Sequence, residues 1–364
     1  MEYFVVFISS IFLAWLAEVG FRKEKKLLPY ILIAVSILIP CILAGFRDDS
    51  IGTDVTWYVT PLVDRAYNAI DFFDFYEMQQ QDSMEMGFVC LIYFLTFSFD
   101  AGPTLFLLQL CILVPLYIAL FRYRDRMPVW LGLTIFYFMS YNTGLSIIRQ
   151  TLTITLLLCA FSFIEKKQWL VGTIIIFLSI TIHRSAIFLA LFVIATYYLC
   201  KVRKVKPMVV ILAVSMLVFM GNFLMDLMRG GAYDEYASRA LERTGEAGLS
   251  IKSLALYSCL TIIPFCRKGG QSIAAIVALC GLVIYFMTIY SSYYIRLAMG
   301  PILFSTMAYP SFINAIKPKQ RKKYICVVLA TLLFYWFVGV ILHGGDGTYP
   351  YVMRIPYYFY EYVR

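Results

Sequence analysis

Apolar residues run along this chain in long blocks separated by short polar connectors. A helix needs roughly 20 apolar residues to cross the hydrocarbon core of a bilayer. On that measure spans are expected near 2–20, 28–46, 104–121, 128–147, 150–164, 168–183, 184–200, 207–225, 251–266, 271–290, 296–315 and 324–343. Several fall short of the rule, which is tolerated where a span lines a water-filled cavity. The apolar run 168–200 is too long for one span and just enough for a tight hairpin, with His183-Arg184-Ser185 at its tip. Segment 86–99 is also apolar, but counting it as a crossing would place Arg122, Arg124 and Arg126 on the outer side. It is therefore expected to be a re-entrant or interfacial element dipping from outside, broken at Asp100-Ala101-Gly102-Pro103. The pattern predicts an all-α polytopic membrane protein of about 12 transmembrane helices with both termini external. It reads as a single transmembrane domain, 1–364, with external loops 47–85 and 226–250 and an external tail 344–364.

The connectors set the orientation. Arg22-Lys23-Glu24-Lys25-Lys26, Arg122 to Arg126, Lys166-Lys167, Lys201 to Lys206, Arg267-Lys268 and Lys317 to Lys323 recur on one side of the alternation. Positive connectors stay cytoplasmic. These hold twenty of the 31 basic residues, and thirteen of the twenty are Lys. Of the remaining eleven, all but Lys252 are Arg: Arg47, Arg65, Arg149, Arg184, Arg229, Arg239, Arg243, Arg296, Arg354 and Arg364. Orientation needs only charge, which Lys supplies, whereas an Arg fork grips phosphate or carboxylate through two parallel bonds. The outer side therefore reads as chosen for an oxyanion. The plainer alternative pairs each Arg with an external acid such as Asp48, Asp49 or Glu242.

Composition agrees with a membrane protein and excludes other classes. Hydrophobic residues make up 61% of the 364 and charged residues 15%, more apolar surface than a soluble domain of this size can hide. The net charge of +9 belongs to orienting loops and does not imply nucleic acid. The nine Cys lie almost wholly inside apolar runs without a C-x-x-C, so neither disulfides nor structural zinc are expected. The first apolar run is not expected to be a cleaved signal, because its positive charges follow it. P-loop, G-x-G-x-x-G and H-E-x-x-H motifs are missing.

The chemistry-bearing residues sit where spans meet. Arg149 lies between two short apolar runs in Ser146-Ile147-Ile148-Arg149-Gln150, so its turn is nearly buried. An ionisable residue there is a functional candidate by default, although Arg at a membrane end also snorkels to the interface. His183 and Arg184 occupy a hairpin tip on the same side. That His is either a helix-packing hydrogen bonder or a general base or phosphate ligand. Arg47 and Asp54 flank Gly52-Thr53, which also reads as a turn. Glu85 opens the dipping element, and Arg296 opens the eleventh span behind Tyr290, Tyr293 and Tyr294. One topology puts all seven on one face, as a buried external cavity requires.

Arg47 with Gly52-Thr53-Asp54, Glu85-Met86-Gly87-Phe88, Ile148-Arg149-Gln150, His183-Arg184-Ser185-Ala186 and Arg296, in that order, resemble the EpsG-like branch of Wzy-type polysaccharide polymerases. The likeness runs from about 45 to 315. It implies a GT-C-like membrane glycosyltransferase of O-antigen, lipopolysaccharide or exopolysaccharide biosynthesis, working at the periplasmic or exterior face of the bacterial cytoplasmic (inner) membrane. Such enzymes join oligosaccharide repeat units carried on undecaprenyl diphosphate, which serves as donor and acceptor, without a metal or other cofactor. A chain-length regulator and a flippase are the partners such a system brings. The long second external loop of other Wzy branches is short here, so loop arginines are not carried over to Arg239 or Arg243. The leaving group is a diphosphate, and preorganised Arg forks in a low-dielectric cavity stabilise the charge that grows on it. The expected base is His183, with Asp54 and Glu85 behind it; Arg149, Arg184 and Arg296 are expected on the diphosphate. Arg47 is expected with them or, with Asp54, in loop organisation or on the acceptor sugar. A lipid-linked oligosaccharide flippase or an O-antigen ligase are the alternatives, as is a non-catalytic partner in a biosynthetic complex. A flippase would line a path through the membrane with cations rather than one face.

Overall fold

The computed structural model describes residues 1–79, 84–227, 248–266, 272–345 and 347–354, with backbone alone for 221–227. Arg229, Arg239 and Arg243 of the expected loop 226–250, the Arg267-Lys268 connector, Asp82, and the tail beyond Arg354 lie outside the described residues. The helices are α1 Glu2–Arg22, α2 Leu28–Gly45, α3 Thr60–Asn68, α4 Phe72–Met78, α5 Met86–Leu95, α6 Ala101–Phe121, α7 Val129–Phe136, α8 Asn142–Ser146 and α9 Ile148–Glu165. They continue as α10 Trp169–Ile182, α11 Ala186–Tyr197, α12 Pro207–Leu227, α13 Ile251–Cys266, α14 Ile273–Phe286, α15 Tyr293–Leu303, α16 Ser305–Ala315 and α17 Pro318–Trp336. Among the described residues there is no strand, only an isolated bridge between Arg47 and Met353. Among the described residues, five segments are long and apolar enough to cross a membrane by length and composition: α1, α2, α6, α9 and Pro318–Leu342.

The expected spans coincide with helices, with two instructive differences. The break after α5 runs from Thr96 to Asp100, and Ala101-Gly102-Pro103 already form the first turn of α6. Asp100 explains the start: its Oδ1 accepts the Gly102 N–H at 2.8 Å, and Pro is at home in a first turn because no partner for its N–H is missed. At ten residues and 1.5 Å per residue, α5 is too short to cross a core of ~30 Å. The expected span 296–315 is two helices, interrupted at Phe304. Pro301 and Pro310 flank that interruption, each removing a backbone hydrogen bond where a continuous helix would need one.

The chain divides into two compact units. The first comprises Met1–Asp125, Val129–Phe188 and Trp336–Arg364. On α1, Tyr3, Phe7, Ser10, Ala14 and Ala17 are buried, while Phe4, Ile8, Phe12 and Trp15 face outward. A soluble helix would place polar residues on that outer face; an apolar one suits lipid. Inside, α1, α2, α6 and the π-type turn Tyr137–Tyr141 are joined by hydroxyls. Ser10 Oγ lies 2.9 Å from Tyr117 and 2.8 Å from Tyr137, and Ser36 Oγ lies 2.6 Å from Tyr117. At the other end, Glu18 accepts the Val129 N–H at 3.1 Å and pairs with Arg22 at 2.6 Å, so a carboxylate caps α7.

The second unit comprises Arg126–Pro128 and Leu189–Tyr335. Tyr257 and Tyr285 meet edge to face with centroids 4.9 Å apart, tying α13 to α14. Tyr309 OH donates to the Tyr324 carbonyl at 3.0 Å, tying α16 to α17. Arg321 closes the connector between them by donating to the Asn314 carbonyl at 2.7 Å.

Candidate functional site

The break between α8 and α9 is the starting point. Ile147, at φ −121° and ψ 66°, interrupts an otherwise continuous helical run. A break leaves carbonyls without partners before it and N–H groups without partners after it, and lipid supplies no water to satisfy them. The loop after α2 supplies both kinds of partner. Arg47 Nη1 donates to the Leu145 carbonyl at 3.2 Å, and Thr53 Oγ1 donates to the Ser146 carbonyl at 3.3 Å. Asp54 Oδ2 accepts the Ile148 N–H at 3.0 Å. The signs follow the helix dipoles: a cation at the C-terminal end of α8, a carboxylate at the N-terminal end of α9. Gly52 sits at φ +93°, and a Cβ there would lie 2.3 Å from the Leu145 carbonyl oxygen. Gly52-Thr53-Asp54 is thus a latch on the break, and glycine is required for its approach.

That latch fixes the next residue, Arg149. Its Nη1 donates to Glu85 Oε2 at 3.0 Å. Its guanidinium carbon also lies 5.0 Å from the Tyr58 ring centroid and 5.7 Å from that of Phe88, within cation–π range. The other oxygen of Glu85, Oε1, accepts from His183 Nδ1 at 3.0 Å and from the Arg184 backbone N–H at 3.1 Å. One carboxylate therefore joins the α8–α9 break to the α10–α11 turn. Gly87 makes this approach possible, since a Cβ there would lie 2.6 Å from the Thr181 carbonyl. The three side chains are 20% (Arg149), 10% (Glu85) and 26% (His183) exposed.

The protonation pattern follows. Burial alone would raise the Glu85 pKa, but the Arg184 amide, its own backbone amide, His183 and Arg149 together hold it below the ordinary carboxylate value. An ionised carboxylate only accepts, so His183 Nδ1 carries the hydrogen between them. In the tautomer with its only ring hydrogen on Nδ1, the lone pair is on Nε2. A carboxylate-oriented imidazole of this kind is suited to take a proton from a hydroxyl.

Arg47 is placed differently from Arg149. It is 2% exposed, lies directly after the C-terminal end of α2, and has no carboxylate in ion-pair range among the described residues. Burial lowers its pKa to about 10, so it stays cationic at neutral pH. The C-terminal end of α8 faces its charge through the Leu145 carbonyl. Its Nε has no hydrogen-bond partner. Arg184 is exposed, and its guanidinium has no partner among the described residues. Arg296 is exposed on α15, in the second unit. The first unit thus brings together Arg47 and Asp54 at the break, and Glu85, Arg149, His183 and Arg184 beside it.

Two participants escaped sequence reasoning. Tyr58 faces Arg149 from the π-type turn Val55–Val59; its place four residues after Asp54 was the available signal. Arg354 pairs with Asp49 and Asp100, from more than 250 residues away in sequence, and only its membership of the external Arg set marked it. Among the described residues no group of three or more His, Cys, Asp or Glu could hold a metal ion.

Against known protein families, residues 30–353 match the model of the EpsG family. That stretch contains every candidate residue from Arg47 to Arg296. Nothing matches among curated proteins or among solved structures.

Proposed function

The chain belongs to the EpsG family of polysaccharide-polymerase-type membrane proteins, and on that premise we propose that it joins oligosaccharide repeat units carried on undecaprenyl diphosphate at the outer face of the bacterial cytoplasmic membrane. The Lys-rich connectors support that orientation, since they hold the opposite helix ends inside. The observation that carries the mechanism is the single Glu85 carboxylate shared by Arg149 and His183. It places a proton acceptor and a phosphate-gripping fork on one anchor.

In this reading the acceptor sugar's hydroxyl attacks the donor's anomeric carbon while the bond from that carbon to the diphosphate oxygen breaks. His183 Nε2 takes the hydroxyl proton, and Glu85 steadies the imidazolium that forms. The electron pair leaves with the lipid diphosphate, where Arg149 and the exposed Arg184 stabilise the added charge. Arg47 and Asp54 serve by holding the Arg149 turn, because Arg47 Nη1 and Asp54 Oδ2 are engaged with the ends of α8 and α9. Arg296, in the second unit, remains a candidate for the diphosphate on the strength of the sequence.

The test is complementation of a host lacking this gene, with polymer displayed on a ladder gel. Wild type, Arg149→Ala and His183→Ala are supplied at matched expression. Single repeat units on their final acceptor in the deletion strain, with a ladder restored by wild type alone, support polymerisation through these residues. Loss of the single units, with lipid-linked precursor accumulating, would assign the defect to flipping or ligation and overturn the reading.

A further inference from the structure

We propose that residues 347–354 form a strap along the loop 46–54 and that Arg354 is a positioning residue for the Arg149 turn. The proposal rests on the reading of Arg149 as the phosphate-gripping residue. The strap is anchored at three points on the first unit. Tyr3 OH donates to the Thr348 carbonyl at 2.8 Å, Asn142 Nδ2 donates to Thr348 Oγ1 at 3.0 Å, and Tyr351 OH donates to the Leu43 carbonyl at 2.9 Å. Thr348 is fully buried. From these anchors the strap pairs edge to edge with the loop after α2. The Asp48 N–H donates to the Val352 carbonyl at 2.9 Å, the Arg354 N–H donates to the Phe46 carbonyl at 2.8 Å, and Arg47 bridges Met353. Further along, the Gly52 N–H reaches the Gly347 carbonyl at 3.4 Å.

The loop 46–54 is therefore held on two sides. One side grips the α8–α9 break through Arg47, Thr53 and Asp54; the other is gripped by the strap. The Arg354 guanidinium locks the strap by pairing with Asp49 in the loop and Asp100 at the start of α6. An isolated surface ion pair contributes little. A guanidinium shared between two carboxylates on two elements instead fixes their relative position. Removing it frees the outer edge of the loop, and the latch that sets Arg149 then hangs from a looser support. A displacement near 1 Å at a phosphate-gripping residue costs rate more than binding.

The experiment uses the full chain in lipid nanodiscs with Arg354→Ala, Arg354→Lys and the double variant Asp49→Asn with Asp100→Asn. Asn preserves the cap on α6 while removing the charge, so the double variant tests the pairing independently of how well Arg354→Ala folds. Two quantities are read: kcat and KM on a lipid-linked repeat unit, and backbone hydrogen exchange without substrate. In Arg354→Ala and in the double variant, kcat is expected to fall about 10-fold or more with KM nearly unchanged. Exchange should rise over 46–54 and 147–151 and stay at the wild-type level over 183–187. Arg354→Lys should keep most of the activity. Wild-type exchange over 147–151 in both charge-removed forms would overturn the proposal, as would a uniform rise across the first unit, which would make Arg354 an ordinary stabilising contact. Exchange is read without substrate, so it decides the strap's role even if the ladder test assigns the protein another activity.

Discussion

The first unit contains two polar clusters built on opposite principles. Ser10, Ser36, Tyr117 and Tyr137 form a closed set of neutral hydroxyls, each at most 2% exposed, donating and accepting among themselves and two backbone carbonyls. Glu85, Arg149 and His183 are ionisable and 10–26% exposed. They sit at broken helix ends rather than mid-helix. Satisfied hydroxyls between helices are adhesive. Ionisable groups kept near the membrane are costly, and they persist where they act on something. The difference is between a closed set with every hydroxyl satisfied inside and a partly exposed ionic set that the proposed function puts to work.

That comparison is sharpened most by Arg149→Ala. Polymer formation should fall about 10³-fold, the scale of losing a preorganised charge stabiliser in a low-dielectric site. The thermal midpoint in detergent should move little, because Arg149 does not belong to the hydroxyl cluster. Arg149→Lys should recover only a small part of the activity, since an ammonium cannot make two parallel bonds to phosphate. A lysine variant with wild-type turnover would remove the fork from the mechanism.

His183→Ala comes next, with an expected loss of about 10²-fold in kcat from a missing general base. Chemical rescue decides its role. Imidazole added to the alanine variant should restore part of the lost rate, because it can take the hydroxyl proton from the vacated place. If no imidazole concentration restores rate, the base is another group.

Glu85→Gln should cost about 10-fold, less than either partner, because Gln can still accept through its amide oxygen while losing the charge. Its pH signature is distinct. The native carboxylate is held below its ordinary value, so the unfolded chain binds the proton at a higher pH than the folded one. The order Glu85 gives the 183–184 turn is thus complete above the ordinary carboxylate pKa, roughly 4.3, and is lost as pH falls through the lower native value. Hydrogen exchange at Arg184, whose N–H donates to Glu85, should rise in that acid range in wild type and be flat in the Gln variant. A pH-independent amide in wild type would remove Glu85 from the turn.

How much of this was legible in the sequence depends on distance. Apolar block length is set by the bilayer, so the helices could be placed within a few residues. The break at Thr96–Asp100 was displaced by Gly102-Pro103, which resembles a helix stop but fits a first turn once Asp100 caps it. The interruption at Phe304 was hidden in a largely apolar run. For the candidate site, Arg149, His183 and Glu85 stood out because charge between apolar blocks is conspicuous. Their sharing of one carboxylate did not, because Glu85 lies 64 residues from Arg149 and 98 from His183. Gly52-Thr53-Asp54 read as a turn, and nothing local tells that its partners are the loose ends of a helix break ninety residues on.

The smallest expected effect tests the other cluster. Ser36→Ala removes one hydroxyl that bonds the Ser10 carbonyl at 2.8 Å and Tyr117 at 2.6 Å. Ser10 Oγ keeps Tyr117, Tyr137 and the Ser36 carbonyl as partners, so no charge is stranded and few bonds are lost. Interhelical hydrogen bonds in membranes average about 0.6 kcal/mol and reach about 1.7, and the variant should lose about 1 kcal/mol of stability by that measure. Polymer formation at a temperature well below the midpoint should stay near wild type. A Ser36→Ala protein that stays folded but makes no polymer would collapse the distinction between the two clusters and place the buried hydroxyls within the working machinery.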